Sequence, residues 1–176
     1  MATKEAFLSQ ETQSYLDTYI EQLQALPYHR FLGFEVRRHG QGTAASIMRV
    51  QAQMFEDGIV DEGAMTTLGV QTAKVAIMSL MGSGRDVVIL EHQMSVMAHA
   101  QVRRLVTKAR VDYWRARLAR ALYEIRDSQG ELVARGNLMA YILPREEKKS
   151  EPQKLASEDD PFDVKTIVEE DPDLPY

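Results

Sequence analysis

The stretch MFEDGIVDEGAMTTLGVQTAKVAIMSLM, residues 54–81, decides how this chain folds. Its first part is acidic and contains Gly58 and Gly63, which predicts a turn before a helix. The rest runs without a proline through a long apolar segment, which is typical of a helix buried on most sides. Asp61 and Glu62 stand where this helix starts. That position favours helix capping, but a carboxylate there is also a candidate base or nucleophile.

The segments on either side of this helix predict β-strands. Residues 33–51 contain two short extended runs around the turn signal Gly40–Gly42, as expected of a hairpin. Residues 87–100 form a strand rich in β-branched side chains, and residues 105–144 alternate between apolar and polar over two long runs split at 127–130. One long helix among five or six antiparallel strands indicates an α+β fold, in which a curved sheet wraps the central helix.

The two ends of the chain differ from its middle. Residues 1–28 carry apolar side chains at helical spacing, which predicts an amphipathic helix lying on the main domain, residues 29–144. Residues 145–176 hold eleven acidic and five basic side chains, so the net charge of −5 comes from this segment. Because the segment is poor in apolar residues, we expect a flexible acidic tail.

Composition excludes several classes of function. The chain has no cysteine, and therefore no disulfide and no thiolate site. Its nearly neutral body disfavours a nucleic-acid partner, because phosphate backbones are bound by clustered positive charge. Gln71 and Lys74 interrupt the longest apolar stretch, and the first residues lack the apolar block of a signal peptide. We therefore expect a cytoplasmic protein without a membrane span.

Three motifs resemble the acyl-CoA thioesterase branch of the hot-dog fold. They are LGF at 32–34, GIVDEGAMTTLG at 58–69 and GELVARGNLMAYIL at 130–143, and the resemblance covers roughly residues 28–143. It implies an acyl-CoA or similar acyl thioester as substrate, and no cofactor other than the coenzyme A of that substrate. It also implies a site between two subunits, and hence a homodimer or homotetramer paired through the strand at 86–97.

The helix head of that family reads N-x-x-G-x-x-H-G-G, with a carboxylate nine positions after the histidine. On this chain the pattern falls on Phe55, Gly58, Asp61, Glu62 and Gly63, and the carboxylate position falls on Val70. Two glycines fit and the polar catalytic positions do not. The neighbouring Gln71 is rotated by about 100° around the helix. Two functions therefore stay open: hydrolysis with Asp61, Glu62 or Gln71 as catalytic residue, or binding of an acyl thioester without turnover.

The resemblance and the residue chemistry together suggest a set of substrate-binding residues. They are Phe55, Gly58, Gly63, His92, Arg103 and Arg104. Free N–H groups around Gly63 suit a thioester carbonyl. Arg103 and Arg104 either meet the phosphates of coenzyme A or belong to a solvated outer face.

The histidines give no metal site. His92 is in phase with Val88, Leu90, Met94 and Val96, which favours a hydrogen-bonded structural residue on an apolar face over an acid or base. His29, His39 and His99 are assigned to loops. No two histidines have the spacing of metal ligands, so no metal is expected.

Overall fold

The computed structural model describes residues 10–81 and 83–144 of the chain. The chain divides into two compact units, Met1–Arg145 and Glu146–Tyr176, and every described residue belongs to the first. The predicted acidic tail, residues 145–176, lies outside the described residues, so its boundary and its flexibility stay predictions.

The elements follow the order that the sequence predicts: helix, hairpin, long helix, strand and meander. The helices are α1 (Gln10–Ala25), α2 (Pro27–Phe31) and α3 (Glu62–Met78). The long strands are β1 (Phe34–Gly40), β2 (Thr43–Arg49), β5 (Arg85–Val96), β6 (Arg104–Arg115), β7 (Leu118–Arg126) and β8 (Leu132–Pro144). Before α3, a 3₁₀ turn (Ala52–Met54) leads into the short strands β3 (Phe55–Glu56) and β4 (Ile59–Val60).

The six long strands form one antiparallel sheet in the order β1-β2-β6-β7-β8-β5. Helix α3 contacts all six of them. The predicted α+β architecture, with a sheet wrapped around one central helix, is therefore confirmed. Strand β5 follows α3 in the chain but lies at the edge of the sheet, where β8 is its single partner among the described strands.

A single core fills the space between α3 and the face of the sheet that it covers, here called the inner face. Alternate residues of β7 point inward and are buried, namely Ala119, Ala121, Tyr123 and Ile125. Helix α3 is buried around most of its circumference, which explains why it lacks a polar face. Its side away from the sheet is covered in part by α1, whose buried residues include Leu16, Ile20 and Leu23.

Two of the histidines assigned to loops lie in regular elements instead. His29 lies in α2, where its buried Nδ1 is 2.7 Å from the carbonyl oxygen of Leu23. His39 lies in β1, with Nε2 3.3 Å from a carboxylate oxygen of Asp17. The loop assignment of His29 was wrong because Pro27, expected only to end α1, also occupies the first turn of a further short helix. The loop assignment of His39 was wrong because β1 continues as far as Gly40, into the turn signal.

The turns account for the remaining differences between expectation and structure. Gln41 and Gly42 have φ values of 51° and 77° and close the predicted β1–β2 hairpin. The meander has three strands, because a second turn joins β6 to β7. That turn has Ala116 at φ 53° and no glycine, proline, asparagine or aspartate between the strands, so the sequence carries no signal for it.

Candidate active site

The N-terminus of α3 is capped by Asp61. Its Oδ1 accepts a hydrogen bond of 2.8 Å from the backbone N–H of Ala64. Glu62, the first helical residue, is exposed, and so is Gly63. One carboxylate of the predicted pair is therefore held by the helix, and the other is free to meet a ligand.

A short ribbon fixes the place where α3 starts. Strands β3 and β4 pair through a turn in which Asp57 and Gly58 have φ values of 50° and 78°. The N–H of Val60 donates to the carbonyl of Ala100 at 3.0 Å, and the N–H of Asp61 donates to that of Met54 at 2.8 Å. The helix N-terminus is thus tied to the segment that leads from β5 into β6.

Arginine residues cluster where this segment enters the sheet. The carbonyl of Arg103 accepts a hydrogen bond from the N–H of Val50 at 2.9 Å, and Arg104 stands opposite Arg49 in the β2–β6 ladder. Both Arg103 and Arg104 are exposed, and neither forms an ion pair within the described residues. The backbones of three arginines therefore meet at the end of the sheet where α3 begins. Arg49 follows and Arg104 precedes a buried, inward-facing residue, Met48 and Leu105 respectively, so their side chains lie on the outer face.

The side of α3 that faces β5 is identified by one contact. The hydroxyl of Thr66 lies 3.9 Å from the sulfur of Met94 on β5. Val70, one turn further along, comes round to the same side. Val70 and Phe55 are both partly buried and packed against the core. The two positions that are polar in the family pattern are thus apolar packing residues here.

Gln71 points to a different side of α3. Thr67 lies one turn before it, and the Thr67 hydroxyl is 3.5 Å from the hydroxyl of Tyr28 in α2. Lys74 lies one turn after it, and the Lys74 ammonium is 5.5 Å from the ring centre of Tyr19 in α1. Gln71 therefore faces α1 and α2 rather than β5. Its Oε1 is buried and has no hydrogen-bond partner among the described residues.

A histidine and a tyrosine form a close pair on the inner face of the sheet. Nε2 of His92 lies 2.6 Å from the hydroxyl oxygen of Tyr123. The two rings are nearly parallel, at 5°, with their centres 5.9 Å apart. Burial lowers the pKa of His92 and raises that of Tyr123, so both are held in their neutral forms around neutral pH.

Two glycines make room for the ring of Tyr123. A Cβ at Gly69 of α3 would stand 2.5 Å from Tyr123 Cζ, and a Cβ at Gly136 of β8 would stand 2.5 Å from the same atom. Real Cβ atoms do not approach other atoms so closely. The phenol ring therefore lies in a slot between helix and strand, and its hydroxyl emerges beside β5.

A β-bulge determines which residues of β5 share a face with His92. The pairing with β8 shifts register between Ile89 and Glu91, leaving Leu90 as the extra residue. His92 and Met94 keep the inner face, as predicted. Val88 pairs with Tyr141, between the inward-facing Ala140 and Ile142, so it lies on the outer face. The predicted phase of His92 with Val88 and Leu90 is wrong because the bulge interrupts the alternation.

Strand β5 and the loop after it expose several large apolar side chains. They are Val88 (43%), Ile89 (40%), Leu90 (56%), Val96 (38%) and Met97 (52%), each value being the exposed fraction. Because β5 is an edge strand, these side chains accompany a row of backbone groups that has no strand beside it within the described residues.

A groove of ≈ 520 Å³ lies elsewhere, on the outer face of the sheet. Its lining there includes Arg38, Ala45, Lys108, Leu122 and Glu124. It is separated from the α3 N-terminus by the sheet itself. We therefore place the candidate site at the helix N-terminus and the adjoining inner side of β5.

Comparison with solved structures identifies the fold. A thioesterase-family protein from Silicibacter pomeroyi superposes with a TM-score of 0.69 at 18% identity, over 76% of this chain and 98% of that one. A thioesterase from Haemophilus influenzae gives 0.67 at 17% identity, over 74% and 91%. The protein AziG from S. sahachiroi gives 0.63 at 26% identity, over 68% and 98%. The chain has a hot-dog fold. No protein-family model and no curated protein sequence matches it.

Within the described part of this hot-dog domain, no cluster of three histidine, aspartate or glutamate side chains could hold a metal ion. No described helix is long and apolar enough to cross a membrane. Sequence reasoning did not single out Tyr123, because an inward residue of an alternating strand is ordinarily core. The available signal was its hydroxyl, which needs a partner when the ring is buried.

Proposed function

We propose that this hot-dog protein hydrolyses acyl thioesters, in particular acyl-CoA, at the N-terminus of α3 in a homodimer. The observation that carries the proposal is the open helix end. Asp61 caps the helix, Glu62 offers an exposed carboxylate, and Gly63 is exposed and has no side chain of its own, with Asp61 Oδ1 3.0 Å from the position that a Cβ there would take. The hot-dog fold and its likeness to proteins described as thioesterases support the same reaction.

The helix end suits the charge that develops in the reaction. Attack on a thioester places negative charge on the carbonyl oxygen, and free N–H groups at a helix N-terminus stabilise such charge. Gly63 lets a ligand come close to those N–H groups. Glu62 is free to orient a water, whereas Asp61 is engaged with the helix.

A second copy of the chain completes the site in this proposal. The exposed apolar side chains of β5 and its open edge suit antiparallel pairing with the same strand of another copy. An edge as apolar as this would otherwise promote aggregation. Pairing at β5 brings the α3 helices of the two copies to the same interface.

The arginine cluster favours a substrate that carries phosphates. Arg103 and Arg104 are exposed at the end of the sheet where α3 begins, with Arg104 on the outer face because it precedes the inward-facing Leu105. Guanidinium groups bind phosphate in a bidentate manner. Coenzyme A, which carries three phosphate groups at the end of the molecule remote from the acyl group, fits this arrangement.

A second function has its own supporting observation. Phe55 and Val70 replace two polar residues of the family pattern and pack against the core. A hot-dog protein with those substitutions could bind an acyl thioester and release it unchanged.

A thiol-release screen separates the two functions. Purified protein is incubated with short, medium, long-chain and aromatic acyl-CoA, and free thiol is measured. Release that depends on Glu62, and is lost in Glu62→Gln, supports hydrolysis at this site. Saturable binding by calorimetry without thiol release would reject hydrolysis in favour of the binding function.

A further inference from the structure

The carboxylate of the family pattern has no counterpart on α3, but a different polar group lies beside its position. Val70 is on the side of α3 that faces β5, as the Thr66–Met94 contact establishes. On β5, two residues before Met94 and also on the inner face, lies His92. The imidazole therefore reaches the region of the site where a carboxylate on α3 would otherwise stand.

We propose that His92 is the general base of this reaction and that Tyr123 is the residue that positions it. The inference rests on the proposed thioester hydrolysis and adds its missing base. It stands on the 2.6 Å contact between His92 Nε2 and the Tyr123 hydroxyl, and on the slot between Gly69 and Gly136 that holds the phenol ring.

The hydrogen bond leaves one ring nitrogen available. When Nε2–H donates to the Tyr123 oxygen, Nδ1 carries the free lone pair. No described residue is hydrogen-bonded to Nδ1. The His92 side chain is only partly buried, and the proposal places the attacking water at Nδ1.

The elements around His92 keep it neutral. Burial lowers its pKa below the usual 6.5, so the ring accepts a proton at neutral pH without first having to lose one. Tyr123 is the titratable group in contact with the ring, and burial raises its pKa. Strand β8 places Leu138 opposite His92, and α3 turns the uncharged Thr66 and Val70 toward this strand.

The dimer brings this base to the helix end of the partner. About 10 Å of helix axis separates Gly63 from Val70, too far for His92 to serve a carbonyl bound at its own Gly63. When two copies pair antiparallel at β5, their α3 helices also run antiparallel. If the two-fold axis crosses β5 near Met94, the helix end of one copy lies opposite His92 of the other.

The reaction then proceeds in two balanced steps. His92 Nδ1 takes a proton from water while the water oxygen bonds to the thioester carbon, and the carbonyl electron pair moves to oxygen at the helix N–H groups. When the carbonyl re-forms, the carbon–sulfur bond breaks and the imidazolium returns its proton to the sulfur. The products are a carboxylic acid and a free thiol.

The test uses the full chain and the acyl-CoA that it turns over fastest. His92→Gln should lower kcat by about 10²-fold or more, the scale of a lost general base, with KM nearly unchanged. His39→Gln is the matched control, because His39 lies in β1 beside Asp17, away from β5. Imidazole added to His92→Ala should restore part of the lost rate.

Tyr123→Phe keeps the ring in its slot and removes the hydroxyl. It should lower kcat without changing KM and should move the acidic limb of the pH profile of kcat/KM, because the pKa of His92 changes. A tyrosine with a purely structural role would move neither.

Three results would overturn the inference. Wild-type turnover in His92→Gln would remove the histidine from the mechanism and leave thioester hydrolysis standing. A folded, inactive His92→Ala that imidazole does not restore would assign the residue a structural role. Absence of thiol release by the wild type from every acyl-CoA would reject the hydrolysis itself and the base with it.

Discussion

The ring of Tyr123 occupies the space that a side chain at Gly69 would need, since a Cβ there would stand 2.5 Å from Tyr123 Cζ. Gly69 is in the middle of α3, where glycine is the poorest helix former apart from proline. Glycine at this position lowers the intrinsic stability of α3, but it allows the helix to lie close to the sheet.

We predict that Gly69→Ala destabilises the protein. Alanine should add about 1 kcal/mol of helix propensity, but overpacking against Tyr123 should cost about 1–3 kcal/mol. Urea unfolding measures the net change. The same substitution in a Tyr123→Leu background should be stabilising, because the ring is gone. A Gly69→Ala variant as stable as the wild type would mean that the Tyr123 ring can move aside without a packing cost.

Substitutions at the start of α3 separate capping from chemistry. Asp61→Ala should cost about 1 kcal/mol, whereas Asp61→Asn retains an acceptor for the Ala64 N–H and should cost little. Glu62→Gln should be nearly silent in thermal melting, since a first-turn carboxylate contributes about 0.5 kcal/mol through the dipole. We expect activity to fall more in Glu62→Gln than in Asp61→Asn. The reverse order would make the cap the reacting group.

Dimerisation should depend on the exposed edge of β5. Ile89→Lys places a charge on that strand and should shift the protein from dimer or larger assembly to monomer in light scattering. Tyr113→Lys is the matched control, because Tyr113 is 43% exposed, like Ile89 at 40%, but lies on the internal strand β6. A wild-type protein that is monomeric at micromolar concentration would remove the dimer and the shared site.

Stability should fall in mild acid through His92. Its pKa is lower in the folded protein than in the unfolded chain, so the unfolded chain binds the proton first as the pH falls. The stability present above pH 6.5 is therefore lost progressively as the pH falls through the folded pKa. His92→Gln should show a flatter dependence over this window, measured by urea unfolding at each pH. If the free energy of unfolding depended on pH equally in the wild type and in His92→Gln, the imidazole would be as solvated in the folded protein as in the unfolded chain.

The arginine cluster should contribute to binding of the nucleotide. The double substitution of Arg103 and Arg104 by Gln should raise KM for acyl-CoA about tenfold and leave kcat unchanged, because phosphate contacts remote from the carbonyl act on binding. An acyl thioester of N-acetylcysteamine, which has no phosphate, should be unaffected. Arg115→Gln, at the opposite end of β6, serves as control. Equal losses on both substrates would contradict a phosphate role.

Periodicity and turn residues were enough to predict the α+β class and the order of the main elements, whereas the hot-dog fold was predicted from the resemblance of three motifs to a known family. Residues 62–78 form the central helix because they are apolar and uninterrupted, and Gly40–Gly42 turn the first hairpin because glycine adopts positive φ. The β6–β7 turn could not be predicted, because tertiary pairing forces Ala116 into a left-handed conformation that its sequence does not favour.

The sequence predicts the candidate site only where a residue contacts near neighbours in the chain. Asp61 caps a helix through a contact with Ala64, three residues away, and the sequence contains all that is needed to expect it. The contact between His92 and Tyr123 spans 31 residues and two strands that are not neighbours in the sheet. Such a pair depends on strand order, which alternation within each strand does not specify.

The bulge in β5, and not only the composition of that strand, determines which polar side chain faces Tyr123. Counted in steps of two from the buried Val87, an uninterrupted strand would turn Glu91 inward and His92 outward. The extra residue at Leu90 reverses that parity for everything after it. Straightening the bulge with Leu90 retained would exchange the imidazole for a carboxylate on the side of the strand that faces Tyr123. Deleting Leu90 would instead leave His92 inward, because Ile89, Glu91 and His92 already pair with the consecutive residues Ala140, Met139 and Leu138.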